Sequence, residues 1–331
     1  MDIFLSIILL SLGIVILMKS ADWLVSGASS IAHGFKISPM VIGLTVVAFG
    51  TSAPELVVSI TSAISGNTNL ALGNIIGSNI ANILLILGAS AIICPLTVHK
   101  NTVWKEIPMS FLGALVLFVL ALQNVIDYGN IFTLPLNGQE IIGSITRSNG
   151  LILLAFFIIF LYYTFGIAKV STSDQPEIED RKVSTSVFMV LAGLVGLVLG
   201  SKMLVDSGVS IAKAVGVSDT LIGLTLVAVG TSLPELVTSL VAASKKKVDI
   251  AVGNIVGSNI FNVFFILGTT SLVSPLPLPA SNLADIVVLF LTTILLFIFL
   301  FVRQKHVITK SEGVMMLTAY ACYIGFLIYR G

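Results

Sequence analysis

Charge is scarce in this sequence. Only 10% of its 331 residues are Asp, Glu, Lys or Arg, 56% are hydrophobic, and the mean hydropathy is +1.08. A water-soluble domain carries about 25% charged residues. No water-facing exterior can be made from this composition, so lipid must cover most of the surface. Histidine and cysteine are almost missing as well, with three His and two Cys, Cys94 and Cys322, far apart in the chain. Their scarcity excludes a disulfide framework and disfavours zinc or copper held by clustered soft ligands. The net charge is +1, and the basic residues form no face with interleaved aromatics, so nothing points to nucleic acid. Neither a nucleophile–base pair nor an aspartate-rich motif marks an intramembrane enzyme, and no cofactor is implied.

What the sequence has in abundance is long apolar runs. A spanning helix needs about 20 mostly apolar residues, and the pattern predicts ten, at 3–32, 39–65, 69–93, 105–122, 149–169, 184–213, 217–244, 248–273, 283–303 and 313–329. The expected fold is an all-α membrane protein. The first run lacks the positive segment of a cleaved signal and reads as a retained span. Residues 123–148, with Gly129, Pro135 and Gly138, read as an ordered loop or small hairpin, and 94–104 as a short basic connection. Residues 170–183 carry a mixed-charge cluster and read as a linker between a first unit, 1–169, and a second, 184–331. Twelve Lys and Arg fall in the connections on one side (Lys36, Lys100, Lys105, Lys169, Arg181, Lys182, Lys245, Lys246, Lys247, Arg303, Lys305, Lys310), against Arg147, Lys213 and Arg330 on the other. By the positive-inside rule the linker is cytoplasmic and both termini lie outside a cell membrane.

The two units repeat each other. Gly43-Leu44-Thr45-Val46-Val47-Ala48-Phe49-Gly50-Thr51-Ser52-Ala53-Pro54-Glu55-Leu56 returns 180 residues later as Gly223-Leu224-Thr225-Leu226-Val227-Ala228-Val229-Gly230-Thr231-Ser232-Leu233-Pro234-Glu235-Leu236. Gly73-Asn74-Ile75-Ile76-Gly77-Ser78-Asn79-Ile80-Ala81-Asn82 returns at the same offset as Gly253-Asn254-Ile255-Val256-Gly257-Ser258-Asn259-Ile260-Phe261-Asn262. A shared offset means a duplicated half. Five spans per half is an odd number, so the second copy enters the membrane from the opposite side. Inverted repeats of this kind place a substrate near mid-membrane, on interrupted helices between the halves.

The repeated motif carries the chemistry. Pro54 and Pro234 lack an amide donor and free the carbonyls of Gly50 and Gly230, which hydrocarbon does not tolerate without a partner. Glu55 and Glu235 follow, each costing from about 3 to 10 kcal/mol or more as an uncompensated ion at the bilayer centre. The bland alternative is an ion pair with Lys19 or Lys202. Those lysines have nearer partners on their own helices, Asp22 three residues on and Asp206 four, which leaves the two glutamates facing each other. Thr51 and Ser52 share the helical face of Glu55, Ser78 shares one with Asn82, and Ser258 one with Asn262. Such carboxylate, hydroxyl, amide and carbonyl oxygens suit calcium, magnesium or manganese. Close helix packing explains the Gly73 and Gly77 pair, and that of Gly253 and Gly257, without any ligand.

Taken together, Gly-Thr-Ser-x-Pro-Glu at 50–55 and 230–235, each followed by Gly-Asn-x-x-Gly-Ser-Asn, resembles the two α-repeats of the sodium/calcium exchanger family of the calcium:cation antiporters. The resemblance spans both halves and implies ten helices in two inverted five-helix repeats, alternating access, and a prokaryote-type member exchanging sodium for calcium. It implies calcium ligands at Glu55, Glu235 and the Thr51 and Thr231 carbonyls. Sodium ligands would be Ser52, Ser78, Ser232, Ser258 and the Ala48 and Ala228 carbonyls. Three sodium ions per calcium and a sliding pair formed by the first and sixth helices are also implied. Members of the family often carry an aspartate at one of the two positions held here by Asn82 and Asn262. The expected partners are calcium, sodium and the lipid bilayer, with a monomer as the working unit. A proton-driven exchanger or a cation channel is the competing reading.

Overall fold

The computed structural model describes residues 3–127, 141–166, 181–214 and 230–330. Among these, eight helices are long and apolar enough to cross a membrane, and a bent pair makes a ninth. They are α1 (Ile3–Gly34), the bent pair α2 (Pro39–Thr51) and α3 (Ala53–Ile64), and α4 (Thr68–Ile93). After strand β1 (Leu96–Thr97), a short helix α5 (Lys100–Trp104) leads into α6 (Glu106–Ala121) and a final turn α7 (Gln123–Asp127). Strand β2 (Ile141–Ile145) precedes α8 (Arg147–Gly166), and α9 (Val183–Ala214) opens the second part. The chain continues through α10 (Leu233–Ser244), α11 (Val248–Val273), β3 (Leu276–Pro279), α12 (Leu283–Val302), β4 (Val307–Ile308) and α13 (Lys310–Arg330). Nine of the ten expected spans are matched to within a few residues. Of the tenth, 217–244, only the part from Gly230 onward is described, and within it the helix Leu233–Ser244.

Burial separates the helices by role. In α11, 94% of the most apolar stretch is buried inside the protein, and in α4 78%, against 22–39% for the other full-length spans. A helix enclosed all round can carry polar residues that lipid would reject, and α4 and α11 are the two that hold the asparagines. Buried apolar side chains form two clusters. The larger fills the space among α2, α4, α6, α8, α11, α12 and α13, and the smaller lies along α1 and α9, touching the rest through Ile42, Val47, Ala242, Ile250 and Ala251. Helices α1 and α9 have 32 residues each, about 48 Å of helix against about 30 Å of hydrocarbon. They cross each other closely: a Cβ at Gly193 would stand 2.8 Å from the Ser20 carbonyl.

Two small antiparallel sheets, unforeseen in the sequence, clasp the halves. Strand β1 pairs with β4 (Leu96↔Ile308), and β2 pairs with β3 (Ile145↔Leu276). The strand at 141–145 thus finds a partner in the other half; residues 128–140 of the expected loop or hairpin at 123–148 lie outside the described residues. The pairings are reciprocal, since β1 and β3 follow equivalent helices in the two copies. In each copy the buried helix ends on an extended residue before a proline, Cys94 or Ser274, and the strand follows.

Candidate ion-binding site

The helix break at the motif is real and has a second consequence. Helices α2 and α3 meet at 44° around Ser52, whose φ of −84° and ψ of 6° leave the helical range; Ser232 repeats this with −87° and 7°. Pro54 and Pro234 then fall in the first turn of a new helix, where a missing N–H costs nothing. Each glutamate also sits in that first turn. The positive end of the helix favours an anion there by about 0.3–1 kcal/mol, more when partly buried. Just upstream, the ladder of α2 widens into a π-turn over Gly43–Val47, closed by Ala48 N–H to Gly43 O. Two more π-turns, Asn82–Leu87 in α4 and Phe261–Leu267 in α11, begin at or beside the second motif's asparagines. Such turns leave backbone polar groups out of the regular ladder and recur at functional sites.

Glu55 is 0% exposed and Glu235 1%. Among the described residues no lysine reaches either carboxylate. Their shortest hydrogen bonds come from hydroxyls of the opposite half: Ser232 Oγ donates to Glu55 Oε1 at 3.2 Å, and Ser52 Oγ to Glu235 Oε1 at 2.8 Å, with Ser258 Oγ of the same half reaching Glu235 Oε1 at 3.5 Å. Ser78 Oγ lies 3.1 Å from Ser232 Oγ, and Ser258 Oγ 3.0 Å from Ser52 Oγ. Ser52 therefore serves the other copy's glutamate, not the one on its own helix. The remaining oxygens, Glu55 Oε2 and Glu235 Oε2, are buried with no hydrogen-bond partner among the described residues. No third Asp, Glu, His or Cys joins the two carboxylates among the described residues.

The asparagines complete a paired network. Asn82 Nδ2 donates to Asn259 Oδ1 and Asn262 Nδ2 to Asn79 Oδ1, each at 3.0 Å, while Asn82 Oδ1 and Asn262 Oδ1 have no donor. Asn74 Nδ2 holds the Glu55 main-chain carbonyl (3.2 Å) and Ser59 Oγ (3.0 Å), and its Oδ1 accepts from Thr231 Oγ1 at 3.2 Å. In mirror fashion Asn254 Nδ2 holds Glu235 O (3.4 Å) and Ser239 Oγ (3.0 Å), and its Oδ1 accepts from Thr51 Oγ1 at 3.0 Å. The Ala48 carbonyl lies beside the cluster and accepts the Ser52 N–H at 3.0 Å. Ala228 lies outside the described residues.

The helical ion pairs expected of the lysines are not formed. Asp22 pairs instead with Lys245 at the end of α10, which also donates to Ser26 Oγ at 3.1 Å. Lys19, Lys202 and Asp206 are exposed on α1 and α9. Sequence spacing along one helix could not show a lysine arriving from another. Sequence reading also passed over Asn74, Asn254, Asn79, Asn259, Ser59 and Ser239 as site residues. The repeated Gly-Asn-x-x-Gly-Ser-Asn did contain the four asparagines, and their recurrence in two enclosed helices was the available signal. Asp249 and Asp285, near the ends of α11 and α12, are paired: Asp249 with His99 at 3.3 Å, Asp285 with Arg330 at 2.9 Å.

Fold and site together define a multi-pass helical membrane protein with a buried carboxylate pair in a shell of neutral oxygens. The profile of the family described as sodium/calcium exchanger protein matches residues 5–166 and 185–329. The chain is 38% identical to CaxA of Alkalimonas amylolytica, covering 94% of this chain and 95% of that one. It is 31% identical to the sodium/calcium exchanger MaX1 of Methanosarcina acetivorans, covering 97% and 98%. A solved structure of the sodium-calcium exchanger NCX_Mj, soaked with zero Na+ and Ca2+, superposes with a TM-score of 0.80 at 34% identity, over 98% of this chain and 99% of that one. This chain belongs to the sodium/calcium exchanger family.

Proposed function

We propose that this protein exchanges sodium for calcium across the membrane by alternating access, with the two ions competing for the oxygens around Glu55 and Glu235. One observation carries the reading. Within the two motifs four buried carboxylate and amide oxygens have no donor among the described residues, one of each kind from each half (Glu55 Oε2, Asn82 Oδ1, Glu235 Oε2, Asn262 Oδ1). Unsatisfied buried acceptors are costly, and a hard cation, which takes oxygen ligands only, is the partner that satisfies all four. Two carboxylates balance one calcium or two sodium ions. A third sodium would load the site with net positive charge, which makes exchange at three to one electrogenic.

The surrounding ligands follow from the same centre. Ser52, Ser232, Ser78 and Ser258 keep lone pairs available while they donate, and Thr51, Thr231, Ala48 and Ala228 contribute main-chain carbonyls at the helix breaks. The names of MaX1 and NCX_Mj, both sodium/calcium exchangers, support the choice of ions. NCX_Mj is described in terms of extracellular ion exchange and binding-site occlusion, which accords with access from one side at a time. The duplication at an offset of 180, with hydrogen bonds that recur at that offset, supports ten helices in two inverted repeats, 1–169 and 184–331, joined by a cytoplasmic linker at 170–183. Both termini then face outside the cell. The separate apolar cluster along α1 and α9 supports their sliding as a pair over the other helices, and one chain contains the whole ligand set, so a monomer suffices.

The test is calcium uptake into proteoliposomes under an opposing sodium gradient. Glu55→Gln and Glu235→Gln should each abolish it, because one remaining charge cannot neutralise calcium. Wild-type uptake in either variant removes the site assignment. Calcium flux that persists without any opposing cation gradient would identify a channel, and flux driven by a proton gradient alone a proton-coupled exchanger.

A further inference from the structure

Asn79 and Asn259 touch neither carboxylate, yet each is held at the centre of the network, 1% and 4% exposed. Each accepts the amide N–H of an asparagine from the other half: Asn79 from Asn262, Asn259 from Asn82. The consequence lies in the geometry of a carboxamide. Its oxygen and its NH2 group occupy opposite edges of one plane, and the torsion that exchanges them is soft and nearly two-fold. A buried asparagine beside a cation site can therefore turn its oxygen toward the ion, or its NH2 donors, which repel one. Fixing the NH2 group fixes the oxygen. In both halves the NH2 is fixed by the neighbouring asparagine, and in both the freed oxygen is left without a donor.

We infer that Asn79 and Asn259 are positioning residues for ion binding, locking Asn262 and Asn82 with their Oδ1 atoms toward the transported cations. The inference rests on the reading that Asn82 and Asn262 line the ion site, and it adds two residues that act only through them. The pairing also makes the locks reciprocal. Asn79 and Asn82 are three residues apart on α4, so one helix holds both the lock for its partner and the group its partner locks. Neither half can orient its own ligand amide.

The experiment uses the full chain in proteoliposomes, with KM for sodium and for calcium measured separately, and calcium-dependent thermal stabilisation in detergent as a second readout. Asn79→Leu keeps the shape and removes the acceptor; Asn79→Asp keeps an acceptor. The expected result is a rise of about ten-fold in KM for at least one of the two ions in Asn79→Leu, the equivalent of about 1.4 kcal/mol, with most of it recovered in Asn79→Asp. In an Asn262→Ala background Asn79→Leu should add nothing further, since the group it orients is gone. Asn259→Leu against Asn82→Ala should repeat the pattern, and this pair replaces the first where Asn79→Leu does not fold. An equal penalty for Asn79→Leu with and without Asn262, or a lowered melting temperature with unchanged KM values, overturns the positioning role while leaving the ion site intact. An Asn262→Ala protein with unaltered KM values for both ions shows instead that the amide pair lies outside the site.

Discussion

Gly257 and Gly77 are the same residue of the repeat, and the structure treats them differently. At Gly257 a Cβ would stand 2.7 Å from the Leu44 carbonyl and 2.8 Å from the Ala48 Cβ; at Gly253 it would stand 2.9 Å from the Met40 carbonyl. At Gly77 and Gly73 it would meet nothing within 4 Å among the described residues. The α2–α11 contact is closed; the residues equivalent to Met40, Leu44 and Ala48 that would face Gly73 and Gly77, 220–228, lie outside the described residues. Gly257→Ala presses on backbone, which cannot turn away as a side chain can, so α2 must lift off at a cost of about 1–3 kcal/mol. Gly77→Ala presses on none of the described residues and gains about 1 kcal/mol of helix propensity. If the cycle exchanges the two packings, alanine at Gly77 penalises the opposite state by the same 1–3 kcal/mol. That range is a shift of about 5–150-fold in population. Both variants should slow exchange while trapping opposite conformations. The assay is thiol labelling of Met40→Cys, a residue 6% exposed on the closed side, with Cys94 and Cys322 removed. Labelling should accelerate with Gly257→Ala and slow with Gly77→Ala. Equal labelling in all three proteins, or a change of the same sign in both variants, refutes the exchange of packings.

Asp22→Asn should leave the melting temperature within a few degrees, because a part-exposed ion pair contributes about 0–1 kcal/mol. It should nevertheless change turnover by up to about five-fold, since Lys245 ties α1 to the end of α10. A large loss of thermal stability with unchanged turnover would make the pair a static clamp. The hydrogen bond to Asp249 and its charge raise the His99 imidazole above its ordinary value. The contribution of that pair to stability is full below the unfolded imidazole pKa and disappears as pH rises through the raised value. In Asp249→Asn the histidine should titrate near about 6.5 by NMR, and an identical curve in both proteins would show that the pair has no electrostatic weight. Protons and cations compete for the same carboxylate oxygens, so KM for calcium should rise as pH falls from about 8 to about 5; a flat KM would contradict competition at Glu55 and Glu235.

How much of this could be read from sequence depends on the range of each interaction. Spans were legible because hydrocarbon imposes one length on every crossing, and the bend at Ser52 because Pro54 acts on the carbonyl four residues back. The two glutamates stood out because few other charges occur far from the helix ends. The partners of those glutamates were not legible. Thr51 and Ser52 share a face with Glu55 on an unbroken helix, but the break rotates Ser52 toward Glu235. The same limit applied to Lys19, whose spacing to Asp22 suggested a pair that Lys245 makes instead. The π-turns left no trace in residue pattern, because Gly43–Val47 and Phe261–Leu267 share no residue type that forces them. Strands β1 and β4, at two residues each, and β2 and β3, at five and four, were too short to show a clear alternating pattern.

What the hydrogen bonds add is the dependence of each half on the other. Glu55 takes its hydroxyl donor from Ser232, and Glu235 from Ser52; Asn74 accepts from Thr231, and Asn254 from Thr51; Asn82 and Asn262 each find their acceptor across the interface. A single half would leave its carboxylate, its threonine hydroxyl and its ligand amide without those partners, and in a buried, water-poor setting each vacancy costs about 1–3 kcal/mol. The exchange of partners also leaves an equal remainder on both sides, one carboxylate oxygen and one amide oxygen per half. At the proposed site an ion at the centre would therefore be bound by neither half in preference. Helices that open one side and close the other can then move around ligands whose balance does not change with the direction of access, which is what reversible exchange at a single site requires.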